Sequence, residues 1–155
     1  FATKLLAENP ANFTAQRYQF MNAAQMPEMK DQLLPMAEAL VANHNETNRF
    51  AAIDYTLIAD EFKNAKQYDK AIAVLEEGIK EMPENASFYK SLAMLYVEQN
   101  QIAKAADTYK GYIANLANPG FNDKSQYATF CYYGAIEAKA TDADRLWGRL
   151  CHRYC

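Results

Sequence analysis

Glycine and proline are scarce in this chain: five of each in 155 residues. An all-β fold needs many tight turns built on those residues, so a sandwich or barrel is disfavoured. Long apolar runs are also missing, far below the roughly 18 residues of a membrane-crossing helix. Positive charge is not in excess. Sixteen Lys and Arg stand against 19 Asp and Glu, net −3, with the signs interspersed. No basic field is available to neutralise phosphates, which argues against nucleic acid as a partner. Only two histidines occur, and there is no Gly-Lys-Ser/Thr phosphate loop, His-Glu-x-x-His or Gly-x-Ser-x-Gly. The expectation is therefore a non-enzyme with no catalytic residues and no cofactor. The three cysteines, Cys131, Cys151 and Cys155, are all confined to the C-terminal end. An odd count placed this way is no disulfide framework. The chain begins at Phe1, without a signal-peptide pattern, and is expected to be a piece of a longer protein.

What remains is helix-former composition, rich in Ala, Leu, Glu, Lys, Gln and Met. The stretch QYDKAIAVLEEGIKEMPEN, residues 67–85, carries Ala71, Leu75, Gly78 and Met82 at helical spacing, with Ile72 and Ile79 beside them. Pro83 stops that helix, and Asn85 sits where it can cap the next one. Upstream, Tyr55, Ile58, Ala59 and Phe62 are spaced 0, 3, 4, 7. Downstream, Tyr89, Leu92, Ala93 and Tyr96 repeat the spacing and nearly the chemistry. At the same offset Lys70 maps to Lys104, Ala71 to Ala105, Leu75 to Tyr109 and Ile79 to Ile113. A helix–turn–helix unit with a fixed 34-residue period is the signature of a repeat array.

These residues resemble the tetratricopeptide repeat, as found in bacterial proteins of that kind. Tyr55, Ile58, Ala59, Phe62, Ala71, Leu75, Gly78 and Pro83 fill the family's large, small and proline slots over residues 52–85. Tyr89, Leu92, Ala93, Tyr96, Ala105 and Tyr109 do the same over 86–119. There Tyr112 is large for a small slot, and the proline arrives two residues late, at Pro119, so NLANPGFNDK (115–124) is expected to be a lengthened turn. A third unit is expected over 120–155, with Tyr127, Phe130, Cys131, Gly134, Ala143, Trp147 and Leu150 on the slots, although Gly134 replaces an aromatic. Residues 1–12 read as the end of a preceding helix, with Pro10 as its stop. Residues 13–51 read as a degenerate pair, with Gln32 and Met36 where Ala and an aromatic belong and Pro35 implying a kink or a late start. The resemblance implies an all-α fold: a right-handed α-solenoid, a superhelix of antiparallel helix pairs, running through residues 1–155.

In the family the first helix of each unit lines a concave groove that takes peptides or partner helices. Carried over by register, those positions are Ile53, Thr56, Asp60 and Lys63 in one unit and Ser87, Lys90, Met94 and Val97 in the next. Ser125, Ala128, Tyr132 and Ala135 follow in the third, Tyr132 adding to the apolar side. Relatives that clamp a terminal carboxylate use Lys and Asn where this chain has Thr56 and Asp60, so that clamp is not expected. The mixed surface, with Met94, Val97 and Tyr132, suits an apolar or amphipathic segment.

Other constellations read blandly. Most of the eleven tyrosines fall on packing slots, and of the adjacent Tyr132 and Tyr133 one must face away. Cys151, His152 and Cys155, beside Arg145, Arg149 and Arg153, offer too few ligands for a structural metal site. His44 lies in the polar turn NHNETN (43–48), where exposure is the default. Asn12, Asn45 and Asn85 head glycosylation sequons, but asparagine at turns is explained by helix capping. The expected function is a non-catalytic protein–protein interaction scaffold. The alternative is a structural or self-associating segment with no groove ligand. A bacterial envelope, periplasmic or cytoplasmic setting stays open.

Overall fold

The helical periodicity is realised throughout the computed structural model, which describes residues 4, 6, 7 and 9–137. Among the described residues, 4, 6 and 7 are helical, and the bounded helices are α1 (Phe13–Ala23), α2 (Lys30–Asn43), α3 (Ala52–Asn64), α4 (Tyr68–Glu81), α5 (Ala86–Glu98), α6 (Ile102–Ala114) and α7 (Phe121–Glu137), with a 3-10 turn at Pro27–Met29. Among the described residues there is no strand. Ala143, Trp147 and Leu150, and the cluster Cys151, His152 and Cys155 with its three arginines, lie outside the described residues. The chain divides into two compact units, Phe1–Val74 and Leu75–Cys155.

The 34-residue period is visible in the backbone. Helices α3 and α5 each have 13 residues and start at Ala52 and Ala86. Both are closed by a left-handed residue at the same repeat position, Lys66 at φ 58° and Asn100 at φ 57°. In each, the amide that follows this residue reaches back into the helix: Gln67 N to Phe62 O, and Gln101 N to Tyr96 O, both 2.8 Å. This is a Schellman closure, which turns the chain sharply and satisfies carbonyls the helix leaves open. The Pro83 junction behaves as the sequence predicts. Helix α4 ends at Glu81, and the Asn85 side chain accepts from Ser87 N at 3.1 Å to start α5. Asn12 caps α1 in the same way through Ala15 N at 3.0 Å. The third sequon asparagine, Asn45, accepts from Thr47 N and Asn48 N. All three thus serve local turns.

In the first unit Phe13, Phe20, Leu33, Ala37, Leu40, Phe50, Tyr55, Ile58 and Phe62 are buried. Here the degenerate pair departs from expectation. Pro35 neither delays α2 nor breaks it, since the helix runs from Lys30 through the proline to Asn43. Its buried face passes through Leu33, Ala37 and Leu40, one residue later than a register on Gln32 and Met36. The 3-10 turn at Pro27–Met29 precedes this shift, and it trades large and small residues between slots. His44 also differs from the exposed default. Its ring is half-buried and lies parallel to Phe50, centroids 4.1 Å apart, with Nδ1 2.7 Å from Asn48 O. A turn that closes over an aromatic ring shelters the imidazole face while its nitrogens find polar partners.

The unit is further tied by Asp54, the buried charged residue among those described. Its Oδ2 accepts from Arg17 Nε at 2.7 Å, contacts Arg17 Nη2, and accepts from Ala51 N at 2.7 Å. The carboxylate therefore caps its own helix and fastens α3 to α1.

In the second unit Ala93, Ala106, Tyr109, Tyr112, Ile113, Tyr127 and Phe130 form the core, with Tyr89, Val97 and Leu116 packed against it. The tyrosines assigned to packing are there: Tyr109 lies 5.2 Å from Phe130 in a T-shaped contact and 6.5 Å from Tyr127 in a stack. Tyr89 and Tyr96 are half-buried, each sending its hydroxyl outward, to Pro83 O at 2.9 Å and to Glu76 Oε1 at 3.3 Å. The turn expected over 115–124 occupies only 115–120, because α7 already starts at Phe121; Tyr112, oversized for its slot, spans it and donates to Asp123 Oδ1 at 2.9 Å, while Asp123 Oδ2 accepts from Gly120 N. Gly134 has an equally specific role. A Cβ there would lie 2.9 Å from Ala103 Cα, so the glycine lets α7 meet the backbone of α6. One turn later Glu137 Oε2 accepts from Ala103 N at 2.7 Å and caps α6, whose own Gln101 makes no side-chain cap.

Candidate functional site

A partner can reach only what the packing leaves exposed, and on the first helices that surface is narrow. On α5 the exposed residues are Ser87, Lys90, Met94 and Glu98; every other position is buried or half-buried. They fall at offsets 0, 3, 7 and 11, one stripe of a helix. On α3 the exposed residues are Ile53, Asp60 and Asn64, with Thr56 half-exposed between them. Ile53, Thr56, Asp60 and Asn64 lie one repeat period before Ser87, Lys90, Met94 and Glu98. Each unit thus presents a solvent stripe at the same repeat positions.

The stripe differs from the register-based set at one place per unit. Lys63 and Val97 are half-buried, and Val97 packs against its own unit's core. The following residues, Asn64 and Glu98, complete the stripes instead. The step from Ile53 to Asp60, or from Ser87 to Met94, makes nearly two full turns, and the next step brings Asn64 and Glu98 back onto the line. Exposure read one residue further along would have found them. In the third helix Ser125 is half-exposed, Ala128 and Ala135 are buried, and Tyr132 is half-buried in a T-shaped contact with Tyr133, centroids 5.3 Å apart. Tyr133 faces away at 56% exposure, which settles which of the pair does so.

The electrostatics of the two stripes differ. On α3, Asp60 and Lys63 pair with each other at 3.2 Å, so the charge is internally compensated. On α5, Lys90 lies over the Tyr112 ring, its nitrogen 5.2 Å from the centroid. The ring is held in turn by the Tyr112–Asp123 hydrogen bond, so the ammonium has a fixed base while its head stays in water. Among the described residues neither Lys90 nor Glu98 has an ion-pair partner. The perturbed groups belong to the packing. Burial, then Tyr112 and Asp123, push the Tyr109 phenol up to about 12. Burial and the hydrogen bond to Asp123 raise Tyr112, and burial raises the Cys131 thiol and Glu61. Among the described residues no group of three His, Cys, Asp or Glu is placed to hold a metal, and no helix is long and apolar enough to cross a membrane.

The tetratricopeptide repeat family model matches residues 64–129. Over those residues the chain is similar to the tetratricopeptide repeat family. No curated protein matches the chain. Among solved structures, one titled "Crystal structure of MamA" has a TM-score of 0.69 and 16% identity, covering 97% of this chain and 83% of the other. A MamA RS-1 ArsTM double mutant has a TM-score of 0.69 and 12% identity, covering 99% and 83%. A further MamA crystal structure gives 0.70 and 17%, covering 96% and 78%. At these identities the likeness is one of fold. The chain shares with them an all-α architecture of antiparallel helix pairs.

Proposed function

We propose that the chain is a non-catalytic protein-interaction scaffold whose docking surface is the solvent stripe on the first helix of each repeat. The observation that carries this reading is the recurrence of the stripe. Ile53, Thr56, Asp60 and Asn64 recur in position, but not in chemistry, as Ser87, Lys90, Met94 and Glu98. Packing positions one period apart keep their character, as Tyr55 and Tyr89 do. A surface that holds its place while changing its side chains has the form of a reading surface on a fixed frame. Exposed Met94, 42% accessible, is the apolar anchor, and Ile53, 47% accessible, its counterpart in the first unit. A protein or peptide segment is the partner class that such a stripe accommodates.

The test is affinity capture with the parent chain beside a Lys90→Glu, Met94→Glu double variant, with light scattering across a dilution series. Specific proteins retained by the parent and lost by the variant are expected, together with a mass that does not change with concentration. Equal retention by both refutes the stripe as docking surface. Mass that grows with concentration and falls in the variant favours self-association through the same residues.

A further inference from the structure

We infer that the α5 stripe selects a helical segment by charge order: an acidic residue, an apolar residue one turn on, and a basic residue one turn further. This rests on the docking reading above and adds the chemistry of the occupant.

Three observations lead there. Lys90, Met94 and Glu98 stand at successive four-residue steps, so a cation, an apolar thioether and an anion follow one another along about 12 Å of helix. All three are exposed, and among the described residues neither charge is consumed by an ion pair. The cation is also anchored: Lys90 rests on the Tyr112 ring, which the Asp123 hydrogen bond holds. A partner helix lying along α5 meets these groups at its own one-turn spacing, because side chains four apart share a face. Its apolar residue covers Met94. Its acidic end must meet Lys90 and its basic end Glu98, since like charges brought together are penalised. Helix direction stays free: a segment of reversed order satisfies the same stripe by running the other way. The rejected class is therefore the segment with one charge sign at both ends. The α3 stripe lacks this device, because Asp60 and Lys63 neutralise each other.

Three synthetic helical peptides test this, each with a central leucine and flanking residues four positions to either side: acidic and basic, both acidic, or both basic. Binding is followed by amide chemical-shift changes at millimolar peptide. The parent is expected to take the mixed peptide about three-fold tighter than either uniform one, an exposed-pair effect that fades in about 0.5 M salt. Lys90→Glu should transfer the preference to the both-basic peptide, and Glu98→Lys to the both-acidic peptide. Met94→Ser should weaken all three. If all peptides bind but the rank order is the same for the parent and both charge variants, the charge-order inference is overturned and the docking surface stands. If no peptide binds, or Met94→Ser leaves binding unmoved, the docking surface falls as well. Every substituted position is solvent-exposed, and circular dichroism confirms the fold of each variant.

Discussion

Replacing Gly134 by alanine should destabilise the protein, although alanine is the better helix former. A Cβ at this position meets Ala103 Cα at 2.9 Å, Ala103 N at 3.2 Å and Ile102 C at 3.3 Å. Ordinary carbon contacts lie at about 3.5–4.0 Å, so α7 must retreat from α6 by roughly 1 Å at this point. All three opposing atoms are backbone, and no side-chain rotation relieves the contact. The retreat also stretches the 2.7 Å hydrogen bond by which Glu137 caps Ala103 N. Overpacking costs about 1–3 kcal/mol and a lost cap about 1 kcal/mol, against about 1 kcal/mol gained in helix propensity. The net is a loss of about 1–3 kcal/mol, or a melting point lower by roughly 5–15 °C for a unit of this size. Thermal and urea unfolding followed by far-ultraviolet circular dichroism measure it. Gly111→Ala is the comparison: its Cβ would run into the Tyr89 ring, a side-chain rather than a backbone contact. A Gly134→Ala protein as stable as the parent refutes the backbone-contact explanation for glycine in an aromatic slot.

Ala71 and Ala105 are fully buried at equivalent positions, so Ala71→Leu or Ala105→Leu should each cost about 1–3 kcal/mol in urea unfolding; melts equal to the parent would show the register to be wrong. Lys66→Gly should stabilise by about 0.5–1 kcal/mol, because lysine sits at φ 58° where only glycine is unstrained. Asn100→Gly should gain less, since asparagine tolerates that conformation. Stability should fall between pH 10 and 12: the unfolded chain releases the Tyr109 proton near 10, while burial holds it in the folded chain up to about 12. Below pH 10 the phenol is neutral in both states, so its contribution is intact there and is lost as pH rises, at about 1.4 kcal/mol per pH unit and up to about 2.7 kcal/mol. Tyr109→Phe should flatten the loss of urea stability between pH 10 and 12, and an unchanged slope would contradict the assignment.

Much of the fold was legible because the repeat writes itself twice. Tyr55 and Tyr89, Ala71 and Ala105 state the period, and Pro83, which cannot continue a helix, states the junction together with the cap residue Asn85. The Schellman closure at Lys66 was not legible, because lysine carries no left-handed signal; the turn imposes the conformation on it. The Arg17–Asp54 pair joins positions far apart in the chain, and neither has a local reason to meet the other. Tyr112 and Gly134 showed in the sequence only as misfits. Each misfit has a partner that no single-repeat pattern contains: Asp123 across the lengthened turn, and the Ala103 backbone across the helix interface. The shift from Val97 to Glu98 has the same origin, since a family register gives the direction of a side chain but not how far the neighbouring core reaches around the helix.

The division between frame and reading surface can itself be tested. Packing positions one period apart must fill similar volumes, whereas the stripe meets water and is free to vary: Ile53 against Ser87, Thr56 against Lys90, Asp60 against Met94, Asn64 against Glu98. Writing the α3 stripe onto α5, as Ser87→Ile, Lys90→Thr, Met94→Asp and Glu98→Asn, should therefore leave stability nearly unchanged. Exposed substitutions shift stability by about 0.5 kcal/mol either way, and the lost Lys90–Tyr112 contact adds about 0.5–1 kcal/mol. The sum stays within about 2 kcal/mol, while any selectivity carried by α5 is erased. A graft that costs more than this in urea unfolding would show that the stripe is covered by packing rather than left for a partner. A graft that keeps both stability and peptide preference would place recognition elsewhere on the chain.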